Sequence, residues 1–289
     1  MERYSVFFEA VRAATDAQLA NVEWVTDRIS DVGLRFDDRQ HADDPTIHLY
    51  GDDSRFMLRG DVLHAGLWQI PRQLAAFLVT IRTENVRHVL DIGTYSGATV
   101  TVVAAYLSRF GLESVETIDV NDFLDPDVRE FWSSVGLPIR RVLMDPTKKF
   151  TDVTVTSRDE YDLAFVDGNH DYVAVRDDYV RARRMSRLIA FHDINDAWCE
   201  GVRRVWKDVA TEHPNTKEFT WHSHGMRTMG IGLAWIDVSY RSHVSYRSYR
   251  SPGIVGNLIA LWDRRSAPAS APASAPVSAV STGAVTADV

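Results

Sequence analysis

The sequence predicts an α/β fold: a doubly wound, mostly parallel sheet of seven strands with an N-terminal helical extension. Two observations predict it. Apolar runs repeatedly close on an acid, as in Val89-Leu90-Asp91, Leu163-Ala164-Phe165-Val166-Asp167 and Leu188-Ile189-Ala190-Phe191-His192-Asp193. Unbroken runs of this kind read as strands buried on both faces, as parallel strands are. Helical spacing then follows a glycine-bracketed turn, Gly93-Thr94-Tyr95-Ser96-Gly97, and continues from Ala98 to Leu107. In such a sheet the ligand lies beyond the carboxyl ends of the strands, where their order reverses. A glycine in that turn lets backbone approach ligand with no Cβ in the way.

Residues 5 to 30 read as a helix, because Phe7, Phe8, Val11, Ala14, Leu19, Val22, Val25 and Ile29 recur at three- and four-residue steps. It is expected to pack on the main domain or on a second subunit, so a homodimer is one expectation. Residues 31–66, rich in Asp and Gly, read as a loop-rich cover. Leu67 to Ile81 reads as a helix with Pro71 near its start. Strand one leads into the glycine turn, and Glu113 to Val120 forms strand two, closing on Asp119. Phe131 and Trp132 fall on the next helix, and Ile139 to Asp145 is strand three. Strand four ends at Asp167, a basic helix spans Val173 to Met185, and strand five ends at Asp193. A helix near Ala197 to Ala210 precedes a hairpin at the sheet edge, Glu218–His222 with Gly230–Ile236.

The expected domains are a cover over 1–66, a ligand-binding domain over 67–237, a C-terminal extension over 238–265 and a tail over 266–289. The extension repeats Ser-Tyr-Arg-Ser and carries a terminal helix over 254–262. The tail repeats Ser-Ala-Pro with scarcely a large apolar residue, so it is expected to be disordered.

At 289 residues, 45% apolar and 25% charged, the chain has an ordinary globular enzyme's composition. A net charge of −8 argues against nucleic acid as the main partner, since phosphate binding needs a basic face. A single cysteine, Cys199, excludes an internal disulfide framework and fits a reducing compartment. The start lacks the layout of a secretion signal, and no apolar run reaches the roughly 18 residues of a membrane span. The expectation is a cytoplasmic protein with no membrane partner.

Asp91, Gly93, Tyr95, Ser96 and Gly97 belong to the turn after strand one. Asp119, about 20 residues past the glycines, is placed to accept hydrogen bonds from ribose hydroxyls. Asp145 is placed to face an adenine amino group, although Asp-Pro is also a plain turn signal. The tips of strands four and five carry Asp167, His170, His192 and Asp193. His222 and His224, one residue apart, form a second candidate metal pair.

The pattern Asp-x-Gly-x-x-x-Gly over 91–97, with Asp119, Phe165-Val166-Asp167-Gly168-Asn169-His170 and Phe191-His192-Asp193, resembles the class I S-adenosylmethionine (SAM) methyltransferases over roughly residues 67–237. It departs from the dinucleotide fingerprint, which would put glycines at positions 91, 93 and 96. The likeness is to the metal-dependent catechol-type and cephalosporin-hydroxylase-like branch, whose Gln-x-Pro element is matched by Gln69-Ile70-Pro71. It implies a SAM-methyltransferase Rossmann-like fold with SAM beside Asp91, Gly93, Tyr95, Ser96, Gly97, Asp119 and Asp145. It also implies a divalent cation, Mg²⁺ or Mn²⁺, on Asp167, His192 and Asp193. That family usually carries two oxygen donors where this chain has His192-Asp193, and nitrogen favours a softer ion such as Mn²⁺, Fe²⁺ or Zn²⁺.

The resemblance puts the catalytic work on Asp167 and on His170, which would take the substrate proton; an imidazole with a pKa of about 6.5 suits that task. The expected reaction is metal-assisted O-methylation of a small-molecule hydroxyl in secondary metabolism, with Trp68, Tyr172, Trp198 and Trp221 as candidate walls of the acceptor pocket. The alternatives are a metal-independent N- or O-methyltransferase with a His base, and a non-catalytic SAM-fold binding module.

Overall fold

The computed structural model describes residues 2–32, 67–145, 156–221 and 229–237. The 33–66 cover, the His222/His224 pair and everything expected beyond residue 237 lie outside the described residues.

Seven strands form one sheet: β1 His88–Ile92, β2 Ser114–Asp119, β3 Ile139–Leu143, β4 Tyr161–Val166, β5 Ser186–His192, β6 Thr216–Phe219 and β7 Ile231–Trp235. Their order is β3-β2-β1-β4-β5-β7-β6. β1 through β5 are mutually parallel, while β7 runs antiparallel to both β5 and β6. The predicted edge hairpin is therefore present, with β7 wedged between β5 and β6. The order reverses between β1 and β4, which are hydrogen-bonded neighbours, so the crevice falls between their tips.

Period-two alternation sends Leu163 and Phe165 of β4 into one core and Ala164 and Val166 into the other. On the first face pack α1 Glu2–Ala13, α2 Asp16–Leu19, α3 Val22–Val32, α4 Pro71–Ile81, α5 Ala98–Leu107 and α6 Pro126–Val135. On the second lie α7 Tyr172–Met185 and α8 Glu200–Glu212. No described helix is long and apolar enough to cross a membrane.

The single N-terminal helix expected over 5–30 is three helices. Thr15 ends the first by capping the second: its hydroxyl accepts from Gln18 N while the Gln18 side chain accepts from Thr15 N. The Asn21 side chain then accepts from Trp24 N and starts α3. Apolar spacing runs through all three because each turns its apolar side to the same core, with Phe7, Val11, Leu19, Val25 and Ile29 buried. The extension packs on its own domain, Tyr4 and Phe8 contacting Phe131 at 5.9 and 6.1 Å between ring centroids. The helix expected from Leu67 begins only at Pro71, whose fixed φ suits a first helical turn. The last helix is shifted from 197–210 to Glu200–Glu212.

Candidate active site

Because β1, β2, β4 and β5 are parallel, Asp91, Asp119, Asp167 and Asp193 reach the same edge of the sheet. Asp91 is the deepest, 4% exposed, and accepts from the Thr117 hydroxyl at 2.5 Å. Thr117 in turn contacts the Thr94 hydroxyl at 2.6 Å. Burial pushes the Asp91 carboxyl up to about 8; the Thr117 bond opposes this and the charges of Asp167 and Asp119 add to it. Asp119 is half-buried and accepts from the backbone N–H of Tyr95 and of Asn121, each at 2.8 Å. Those two bonds fix its carboxylate in the crevice beside Val120 and Phe123, both exposed.

The glycine turn is built for protein contacts as much as for ligand. A Cβ on Gly93, at φ +109°, would lie 2.1 Å from the Asp167 carbonyl oxygen. One on Gly97, at φ +85°, would lie 2.6 Å from Leu124 and 3.0 Å from Trp132. Sequence reasoning reserved those spaces for a ligand; the chain itself fills them. Tyr95 stands in the left-handed region at φ +46°, its ring edge-on to Phe123 at 5.9 Å. Ser96 is buried beneath the turn, and Asp145 is exposed just past β3.

At the tips of β4 and β5 the side chains form a continuous polar chain. Gln69 Nε2 donates to Asp167 Oδ2 at 3.1 Å, and His192 Nδ1 lies 3.1 Å from Asp167 Oδ1 and 3.4 Å from Asp193 Oδ2. His170 Nε2 lies 3.3 Å from the same Asp193 oxygen, and its Nδ1 lies 3.3 Å from Cys199 Sγ. Burial alone would lower the His192 pKa, but the Asp167 and Asp193 carboxylates outweigh it and raise it well above the ordinary value. His192 Nε2 is buried with no hydrogen-bond partner. Asp193 sits at φ +60°, a strained backbone for a non-glycine residue. Donor atoms of Asp167, His192 and Asp193 all lie within 4.8 Å of one another, and so do those of His170, Asp193 and Cys199.

Residues 90–194 match the family model of a methyltransferase domain. The matched stretch runs from the middle of β1 to just past the tip of β5, so it encloses the glycine turn and, of the polar chain, Asp167, His170, His192 and Asp193, with Gln69 and Cys199 outside it. The seven-stranded, mostly parallel sheet is the doubly wound arrangement that the sequence predicts. No curated protein matches the chain. Solved structures similar to it include the O-methyltransferase TomG from Streptomyces achromogenes, involved in tomaymycin synthesis and solved with SAM. That pair shares 16% identity over 59% of this chain and 81% of TomG, at a TM-score of 0.47. An O-methyltransferase from Bacillus cereus in complex with SAH shares 16% identity over 78% of this chain and 93% of its own, at 0.47. The N-terminal domain of human METTL16 in complex with SAH shares 15% over 58% and 71%, at 0.44.

Two members of the polar chain, and one glycine that supports it, escaped the sequence reading as site residues. Gln69 was visible only as part of its Gln-x-Pro element, and Cys199 only as a lone thiol. Gly201 carried no signal, yet a Cβ there would lie 2.2 Å from the His170 carbonyl oxygen, so its absence lets the β4–α7 loop rest on α8. The candidate acceptor aromatics are spread around the rim: Trp198 is 70% and Trp221 is 41% exposed, with Arg72 over the Trp221 ring. Tyr172 instead lies under Arg204 and donates to Asp208.

Proposed function

We propose that the chain is a SAM-dependent O-methyltransferase for a small-molecule hydroxyl, assisted by a divalent cation. The observation that carries this reading is the gathering of Asp119, Asp167, His192 and Asp193 on one edge of a methyltransferase domain, either side of the strand-order reversal. Asp119 holds the ribose hydroxyls of the cofactor with its remaining lone pairs. Exposed Val120 and Phe123 offer an apolar shelf for the base, a pairing of acid and apolar surface that fits a nucleoside. Asp145 stands at the adenine side, and Asp91 with the 93–97 turn forms the floor.

The donor set Asp167, His192 and Asp193, two carboxylates and one imidazole, fits Mn²⁺, which takes carboxylate oxygen and accepts a nitrogen donor more readily than Mg²⁺, with Asp167 at 18% side-chain exposure giving access. Bound there, such an ion would lower the pKa of a coordinated hydroxyl and fix its orientation. His170 Nε2 lies 3.3 Å from Asp193, and Nδ1, which faces the Cys199 thiol at 3.3 Å, is the nitrogen assigned to take the hydroxyl proton. Holding donor and acceptor in line supplies the rest of the rate. The acidic chain and the exposed Trp198 beside Cys199 support a small, partly apolar acceptor over a polyanion.

A second reading has its own observation. His192 Nδ1–H already bridges the two carboxylates, which is a metal-free way to satisfy them. Calorimetric titration of SAM and of Mn²⁺ into wild type, Asp119→Ala and Asp167→Ala separates the possibilities. Asp119→Ala is expected to weaken SAM binding by about tenfold or more and leave Mn²⁺ binding intact, with the converse for Asp167→Ala. Unchanged SAM affinity in Asp119→Ala would remove the ribose assignment. Full turnover in EDTA would select the metal-free reading.

A further inference from the structure

The second cluster at the crevice combines sulfur, nitrogen and oxygen donors drawn from three separate segments. Cys199 Sγ and His170 Nδ1 lie 3.3 Å apart. In a tetrahedral zinc site with bonds of about 2.3 Å to sulfur and 2.05 Å to nitrogen, those donors stand about 3.5 Å apart. One donor from each of His170, Asp193 and Cys199 lies within 4.8 Å of the other two. Cys199 and Asp193 are buried, while the His170 side chain is 43% exposed and opens the cluster to solvent on one side. Three protein donors with one open side is the arrangement of zinc sites that keep a position for water or a ligand.

The cluster is held from outside as well. Gly201 lets the His170 backbone lie against the first turn of α8, and Cys199 is the residue that caps that 13-residue helix. The positive end of the helix favours the thiolate that a metal requires. Asp193 Oδ2 is shared with His192, so an ion in the cluster would draw that oxygen away from His192.

We propose that His170, Asp193 and Cys199 form a binding site for a soft divalent ion of the zinc class, separate from the Asp167 end of the chain of side chains. The inference goes beyond the methyltransferase reading, and it has a consequence for it: an ion on His170 Nδ1 occupies the lone pair assigned to the hydroxyl proton. Zinc is then an inhibitor of turnover, whatever ion Asp167 and His192 hold.

Cobalt is the probe. Thiolate-bound Co²⁺ gives a charge-transfer band in the near ultraviolet, and the chain contains 1 cysteine, so any such band reports Cys199. Titration of the metal-free full-length chain with Co²⁺ is expected to give a saturable band that is bleached by Zn²⁺. Cys199→Ser is expected to abolish it, and the half-exposed substitution His170→Ala to weaken cobalt affinity by about tenfold or more. Asp167→Ala is expected to keep the band, because Asp167 reaches the cluster only through His192. No band in wild type, an undiminished affinity in His170→Ala, or loss of the band in Asp167→Ala overturns the proposal. Neither SAM nor acceptor is present in the measurement, so failure of the methyl-transfer reading leaves its outcome standing.

Discussion

Asp91 shows how a single side chain couples the crevice to the fold's pH dependence. Its folded pKa of about 8 stands above the ordinary 3.8, so between those values the folded chain holds a proton that the unfolded chain has lost. Stability from this group is therefore complete below about pH 4 and falls as pH rises towards 8, after which it is flat. Asp91→Asn keeps an acceptor for the Thr117 hydroxyl and removes the proton. Its melting temperature is expected to exceed that of wild type by about 5 °C or more at pH 9, with the gap closing towards pH 4. An equal gap at both ends, read by calorimetric melting, contradicts the assignment. Gly93 is the opposite kind of residue, defined by what it lacks. Gly93→Ala drives a Cβ into the Asp167 carbonyl at a positive φ, and a loss of about 3 kcal/mol or more in urea unfolding is expected.

Among the elements, α1 depends on a residue nearly a hundred positions away. One Arg109 Nη1 donates to the carbonyls of Val11, Arg12 and Ala14 at 2.9, 2.8 and 2.9 Å, closing the end of a helix where Val11 O otherwise accepts only a 3.3 Å bond from Ala14 N. Arg109→Ala is expected to cost roughly 2–3 kcal/mol by denaturant titration, and Arg109→Lys to recover only part of it. β4 and β5 were legible in the sequence because a strand buried on both faces reads as an unbroken apolar run, and each run here stops at a polar residue, Asp167 after β4 and His192 at the end of β5. The breaks in the N-terminal helix were not, because the Thr15–Gln18 box lies inside apolar spacing that never falters. In the site, Asp167 and Asp193 could be read from strand ends. Gln69, Cys199 and Gly201 could not, since each acts through a contact with a segment distant in sequence, Gln69 with a residue 98 positions on. Local pattern does not encode such meetings; the topology does.

For the molecule as a whole, a sheet whose order reverses between β1 and β4 gathers acids from four strands at one mouth. A cofactor that bridges those tips binds only the folded chain, so it raises stability by mass action. At a SAM concentration of about 100 times Kd the gain is about 2.7 kcal/mol, an expected rise of about 5–10 °C in melting temperature. Asp119→Ala is expected to abolish that rise, read against its own ligand-free melt, and an undiminished rise contradicts the role given to Asp119. The touching peptide groups of Gly93 and Asp167 have a wider implication. Under the proposed function the seat of the methyl donor and the grip on its recipient adjoin through main chain, so backbone contributes to the gap a methyl must cross. Rim side chains such as Trp198 and Trp221 are then free to drift towards new recipients without altering that contribution.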